Sequence, residues 1–174
     1  MKKTALTLSS IAFFLLSTPS YADVQVQFME GAPKDRFIIT NVGDCDLGAA
    51  EFTIDFAASH AGLIFDVTGT GAGVEVFQPF EVTAGAQYLT AAPIISDGDQ
   101  RATLSLKGLG QNEAIAFTID VDDTNGTREI TVTDGEIRGA IVSLVVNKTE
   151  YSAVMSSNSK AVIMTSDCDP QAVL

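Results

Sequence analysis

The densest set of oxygen donors in the chain is Asp120-Val121-Asp122-Asp123-Thr124-Asn125-Gly126. Three carboxylates and an amide in seven residues are hard ligands of the kind Ca²⁺ takes. Side chains alternate along a strand, so Asp120 and Asp122 share one face. Asp123 and Asn125 lie on the turn beyond. Asp120, Asp122 and Asp123 are therefore the candidate calcium ligands. The EF-hand pattern is not met: counted from Asp120, position five is Thr124, the glycine comes at seven instead of six, and position twelve is Thr131 instead of Glu. A calcium site here is expected to be completed by other loops. Asp97 and Asp99 belong either to it or to a hairpin turn of their own. The same residue types also serve turn geometry and solubility, and both readings stand at this point.

Catalytic constellations are not expected. The single histidine, His60, follows Ser59, and adjacent side chains point in different directions instead of forming a nucleophile–base couple. No Gly-x-Ser-x-Gly elbow occurs. Two carboxylates on one strand make no acid–base pair without a sugar-sized cleft between them. Gly69, Gly71 and Gly73 resemble a phosphate loop. They lead into the strand-like Val74-Glu75-Val76-Phe77, so no helix N-terminus would receive a phosphate. They are read as a turn between strands.

Cys45 and Cys168 are the only cysteines, and two allow one intramolecular bridge. In an oxidising compartment that bridge persists, and closing so long a loop is worth about 4–5 kcal/mol in the chain-entropy model. No Cys/His cluster points to zinc.

The elements that must position these groups read as strands. Val24, Val26 and Phe28 alternate with polar residues, as do Phe52, Ile54 and Phe56, then Ile115, Phe117, Ile119 and Val121, then Arg128, Ile130 and Val132. Further strands are expected over 36–40, 63–68, 74–77, 102–106, 140–146, 151–155 and 161–164. Breakers such as Asn41-Val42-Gly43, Asp97-Gly98-Asp99 and Asp134-Gly135 separate them. No window shows a convincing helical period. Short strands at this spacing predict an all-β sandwich or barrel. Leu104-x-Leu106-x-Gly108-Leu109, then Glu113 and the alternating 117–122 run, resemble the late strands of immunoglobulin-like sandwiches. The expected fold is thus an immunoglobulin-like antiparallel β-sandwich with Greek-key connections.

The first 22 residues read as a signal peptide: Lys2 and Lys3, an apolar run over 5–16, and small residues Ser20 and Ala22 before a cut at Asp23. The apolar run is shorter than the ~20 residues of a membrane span, so no membrane insertion is expected after cleavage. A single domain over 23–174 remains, exported to the periplasm or beyond. The net charge is −12, and becomes −14 when Lys2 and Lys3 leave with the leader. Such a surface repels nucleic acid and anionic lipid and suits divalent cations or cationic partners.

Three stretches carry a resemblance: Glu30–Phe37, then Gly62–Gly69 with Gly73–Phe80, then Ala116–Thr124. Together they resemble small exported proteins of marine and related alphaproteobacteria labelled "aggregation factor core" proteins. The resemblance implies extracellular adhesion or self-association, with calcium as the associated cation. It brings no site residues with it. The expected function is a non-catalytic binding or adhesion module supported by calcium, with a protein or glycan partner at the cell surface or in the periplasm. Two alternatives are a structural subunit that assembles through strand edges and a carbohydrate-binding module. For the latter, the available aromatics are Tyr88, Tyr151, Phe77 and Phe80, and there is no Trp.

Overall fold

The computed structural model describes residues 21–32, 34–71, 73, 77–125, 131–166 and 168. Ten strands follow in order: β1 Val24–Met29, β2 Asp35–Asn41, β3 Ala50–Asp55, β4 Ile64–Asp66, β5 Glu81–Ala84, β6 Arg101–Leu106, β7 Ala114–Asp122, β8 Ile141–Val146, β9 Thr149–Val154 and β10 Lys160–Ile163. Among the described residues the helical content is one 3₁₀ turn, Ala86–Tyr88, and no helix is long and apolar enough to cross a membrane.

The strands form an all-β sandwich of two antiparallel sheets. One runs β10-β1-β2-β7-β4, with β5 also paired to β7; the other runs β6-β3-β8-β9. In immunoglobulin lettering, β1-β2-β7-β4 stand in the order A-B-E-D and β3-β8-β9 in the order C-F-G, with β6 beside β3 where variable-type domains carry C′. The chain visits β4 and β5 before β6, an exchange relative to that topology, and β10 extends the first sheet beyond β1.

Alternation fills the core. Val24, Val26, Phe28, Phe37, Ile39, Ile115, Phe117, Ile119 and Val121 of one sheet meet Phe52, Ile54, Leu104, Val142 and Leu144 of the other, all buried. Phe37 stacks on Phe117 with ring centroids 5.2 Å apart, and Phe80 caps Phe117 at 4.8 Å. The β8–β9 hairpin closes through Asn147 and Lys148, both at positive φ, as a two-residue turn matched to strand twist requires. The Cys45–Cys168 disulfide is present. Asn41 fixes the Cys45 loop by donating from Nδ2 to the carbonyls of Cys45 and Leu109, at 2.8 and 2.9 Å.

Two expectations are only partly placed. Of the strand expected over 128–133, residues 128–130 lie outside the described residues, while Thr131, Val132 and Thr133 are in no strand, although Val132 is buried in the core. Of 74–77, only Phe77 is described, and it too is in no strand. Of the 22 residues expected to form a signal peptide, only Tyr21 and Ala22 are among the described residues. Ala22 is fully buried, and Asp44 donates its N–H to the Tyr21 carbonyl at 2.9 Å.

Candidate metal centre

Phe65 points into the core, so its neighbours Ile64 and Asp66 face the outer side of the sheet. Likewise Ile119 and Val121 of β7 point inward and leave Asp120 and Asp122 outward. The β4–β7 ladder sets Asp66 opposite Asp120 and Ile64 opposite Asp122. Three carboxylates from two strands therefore share one patch. One oxygen from each lies within 4.8 Å of the other two.

An outer sheet face is normally wet, yet Asp66, Asp120 and Asp122 are 0, 4 and 2% exposed. The covering comes from the chain after β4. A Cβ on Gly73 would collide with carboxylate oxygens of Asp66 and Asp122, and one on Gly71 would collide with the Asp97 carboxylate. Only glycine allows so close a backbone approach. Gln78 then pairs with both strands through its main chain: its N–H donates to the Asp66 carbonyl at 3.3 Å, and its carbonyl accepts from Asp120 N–H at 3.2 Å. Two of the glycines read as a turn, Gly71 and Gly73, thus have a second task, which is to lie directly on carboxylates.

A fourth carboxylate approaches from the connection between β5 and β6. Asp97 Oδ1 accepts the N–H groups of Val67 and Thr68, each at 3.0 Å. Its carboxyl group also lies within hydrogen-bonding reach of Asp66. Asp99 has a separate, local role: its Oδ2 accepts Ser96 N–H at 2.7 Å and closes the turn. Of the two residues left open in the sequence, Asp97 approaches Asp66 without being one of the three clustered carboxylates, and Asp99 makes the turn.

Electrostatics follow from this crowding. Burial, then contact with Asp97 and the charge of Asp122, pushes Asp66 up to about 7. Burial and the charge of Asp122 push Asp120 up to about 7 as well. Both oxygens of Asp66 and Oδ2 of Asp120 are buried and accept no hydrogen bond from the described residues. A buried carboxylate without a partner costs several kcal/mol, so it must be neutralised. Protons do this partly; a hard divalent cation offsets two of the three charges at once, and oxygen-only donors suit Ca²⁺.

Of the three residues singled out from the sequence, Asp120 and Asp122 belong to the cluster. Asp123 is buried but is not one of the three clustered carboxylates. The turn that follows is tied elsewhere: Thr124 and Asn125 donate their N–H groups to the Ala61 carbonyl, and Thr124 Oγ1 donates to the Gly62 carbonyl at 2.7 Å. Sequence reasoning does not find Asp66. Its one sign there is a charged residue inside the apolar run Leu63-Ile64-Phe65-Asp66-Val67.

Asp35 is a further buried carboxylate, at the start of β2 on the core side. Its Oδ2 accepts Val121 N–H at 3.0 Å and its Oδ1 accepts Gly31 N–H at 3.2 Å. Burial outweighs those two bonds and pushes it up to about 8. His60 is exposed, and Ser59 Oγ accepts Leu63 N–H at 2.8 Å as part of a turn.

No family model matches the chain, and no curated protein sequence matches it. Among solved structures it is similar to a family GH18 chitinase from Chromobacterium violaceum, at 15% identity and TM-score 0.38, over 79% of this chain and 19% of that one. It is also similar to a GH20 exo-β-N-acetylglucosaminidase from Vibrio harveyi, at 17% identity and TM-score 0.30, over 77% of this chain and 17% of that one. The chain spans less than a fifth of the length of either enzyme. At TM-scores below 0.5 these likenesses carry neither fold nor activity across.

Proposed function

We propose that the chain is an exported, non-catalytic binding or adhesion module whose surface is supported by calcium. The observation that carries this reading is Asp66: it is fully buried, neither oxygen accepts a hydrogen bond from the described residues, and it lies beside Asp120 and Asp122. Such an arrangement is costly in a metal-free protein and favourable around a cation. The ion's protein ligands would be Asp66, Asp120 and Asp122. Its role is structural: it neutralises the cluster and fixes the chain lying over it. The partner is a protein or glycan outside the cytoplasm, met by an acidic surface. Calorimetric titration of the mature, chelator-treated domain with CaCl₂ tests the reading directly. One ion per chain with a matching rise of the unfolding midpoint supports it; an athermal, unsaturable titration with an unmoved midpoint removes it.

A second reading has its own observation. The edge strands β9 and β10 carry exposed apolar side chains: Val154 at 61%, Val162 at 44%, and Met164 just past β10 at 75%. Such edges favour strand-to-strand assembly. Size-exclusion chromatography at rising concentration distinguishes it, since assembly through these edges requires no calcium.

A further inference from the structure

The outer face of the second sheet is laid out as a grid. Alternate residues of β6, β3, β8 and β9 point inward, and the outward ones stand opposite one another in rows across the strands. The middle row is Thr103, Thr53, Ser143 and Ser152. On one side of it runs Arg101, Asp55, Ile141 and Val154; on the other runs Ser105, Glu51, Val145 and Glu150. The middle row holds only small hydroxyl side chains, and most of its neighbours on either side are larger. The face is therefore troughed along that row, from the edge strand β6 to the edge strand β9. The trough encloses about 490 Å³, and three steps between neighbouring strands make it about 14 Å long.

Floor and walls differ in chemistry. The Thr53 and Thr103 hydroxyls on the floor bond to each other at 3.0 Å. A hydroxyl donates once and accepts twice, so the floor keeps capacity for a ligand. Ile141 and Val145 line the walls with exposed aliphatic surface, Asp55 is held by Arg101 at the β6 end, and Glu150 stands at the β9 end. What fits is long and narrow, rich in hydroxyls, with C–H surface between them: a glycan chain. A protein partner fits less well, because protein interfaces draw their energy from buried aromatic and Arg anchors, and Ser, Thr and Val are under-represented among such anchors. An anionic chain is repelled: within these rows one arginine stands against three carboxylates, Glu51, Asp55 and Glu150, on a chain of net charge −12.

We infer that this trough binds an uncharged polysaccharide laid across the strands. Its hydroxyls bond to the Ser/Thr row and to Asp55 and Glu150, and its C–H edges rest on Ile141 and Val145. The inference rests on the binding-module part of the reading above and narrows the partner to a glycan. It does not involve the cation, whose candidate ligands lie on β4 and β7 of the other sheet.

The test is affinity electrophoresis of the exported, disulfide-bonded chain in native gels. The gels hold laminarin, xylan, galactomannan, dextran or soluble starch, or anionic dextran sulfate or hyaluronan, each in EDTA and in CaCl₂. At least one uncharged polysaccharide should slow the wild type, equally in both buffers, and the anionic ones should not. Ser143→Ile fills the trough with a side chain that suits a strand and should weaken binding at least tenfold. Gln25→Ile, on the outer face of the first sheet, should leave it unchanged. If Ser143→Ile does not fold, Thr53→Val decides, since it keeps the shape and loses one hydroxyl: it should bind at least threefold more weakly, and binding equal to the wild type overturns the inference. The inference is also overturned if no uncharged polysaccharide slows the wild type, if folded Ser143→Ile is slowed as the wild type is, or if dextran sulfate slows it as strongly as the uncharged chains. Retardation that needs calcium would place the glycan at the carboxylate cluster and overturn the trough. The calcium titration decides the cation reading separately, so either can fail while the other stands.

Discussion

Asp66 and Asp120 stand directly opposite each other in the β4–β7 ladder, on a buried patch of the outer sheet face. Directly opposed like charges weaken a strand pair, and burial multiplies the penalty. Here the pair is joined diagonally by Asp122 and covered by Gly73. A metal-free domain therefore carries repulsion at this point, and under the proposed calcium reading a bound ion would convert it into attraction.

Asp66→Asn separates the two states. In EDTA near pH 7.5 the amide removes one charge and supplies a donor to its carboxylate neighbours. The unfolding midpoint is expected to rise by about 2–4 °C, for roughly 1 kcal/mol gained. In calcium the order reverses. A wild-type site filled to 100 times its dissociation constant adds about 2.7 kcal/mol, or on the order of 5–10 °C for a domain of this size. The variant should gain little. Thermal unfolding of both proteins in both buffers gives four midpoints; a variant destabilised in EDTA would show that Asp66 is a satisfied structural acceptor.

The pH dependence of the metal-free domain runs opposite to ordinary acid denaturation. Asp35, pushed up to about 8, and Asp66 and Asp120, up to about 7, all sit above the ordinary aspartate value of 3.8. The folded state thus binds more protons than the unfolded chain between about pH 4 and 8, and stability falls as pH rises through that window. A tenfold difference in proton affinity between the two states is worth about 1.4 kcal/mol, so the loss from pH 5 to 8 should reach a few kcal/mol. Urea unfolding in EDTA at pH 5, 6, 7 and 8 measures it. Asp35→Asn should flatten the part above pH 7, and a curve that rises with pH would mean that these carboxylates are ionised and satisfied in the fold.

The strands were legible because each buries one face. Val24, Val26 and Phe28, or Phe52 and Ile54, leave little choice once they alternate with polar residues. β5 was not legible, since Glu81-Val82-Thr83-Ala84 is largely exposed and carries no apolar alternation. At the site, the pairing of Asp120 with Asp122 is a local property of one strand and could be read directly. The arrival of Asp66 is not local: it depends on the register of β4 against β7, and a one-residue slip would have turned it into the core. The same limit hid the second task of Gly71 and Gly73. Their spacing announces a turn, but only the tertiary fold shows what that turn lies on.

The Cys45–Cys168 bridge spans 123 residues of sequence and ties the loop after β2 to the far end of the chain. The Cys45→Ala, Cys168→Ala double variant is expected to lose about 4–5 kcal/mol, lowering the midpoint by on the order of 10 °C. Its calcium affinity should be unchanged, because the cluster is held by β4, β7 and the Asp97 turn. Calorimetry on the double variant checks this. A calcium affinity that falls with the disulfide would mean that the bridge positions the site as well as closing the chain.

Gly73→Ala tests the covering of the cluster by sterics alone, with every charge kept. The new methyl would collide with Asp66 and Asp122 oxygens held in a buried space, so either the carboxylates or the backbone at residue 73 must move. Carboxylates pressed together repel more strongly, and a displaced backbone no longer shields them; in both cases the geometry for a cation is lost. Calcium affinity is expected to fall at least tenfold, and the midpoint in EDTA to fall by an amount equivalent to about 1–3 kcal/mol of overpacking. Gly135→Ala is the matched control, since a Cβ there meets only Thr133 Oγ1, at 3.9 Å; it should leave both quantities unchanged. If Gly73→Ala binds calcium as the wild type does, the approach of Gly73 to Asp66 and Asp122 has no bearing on the ion.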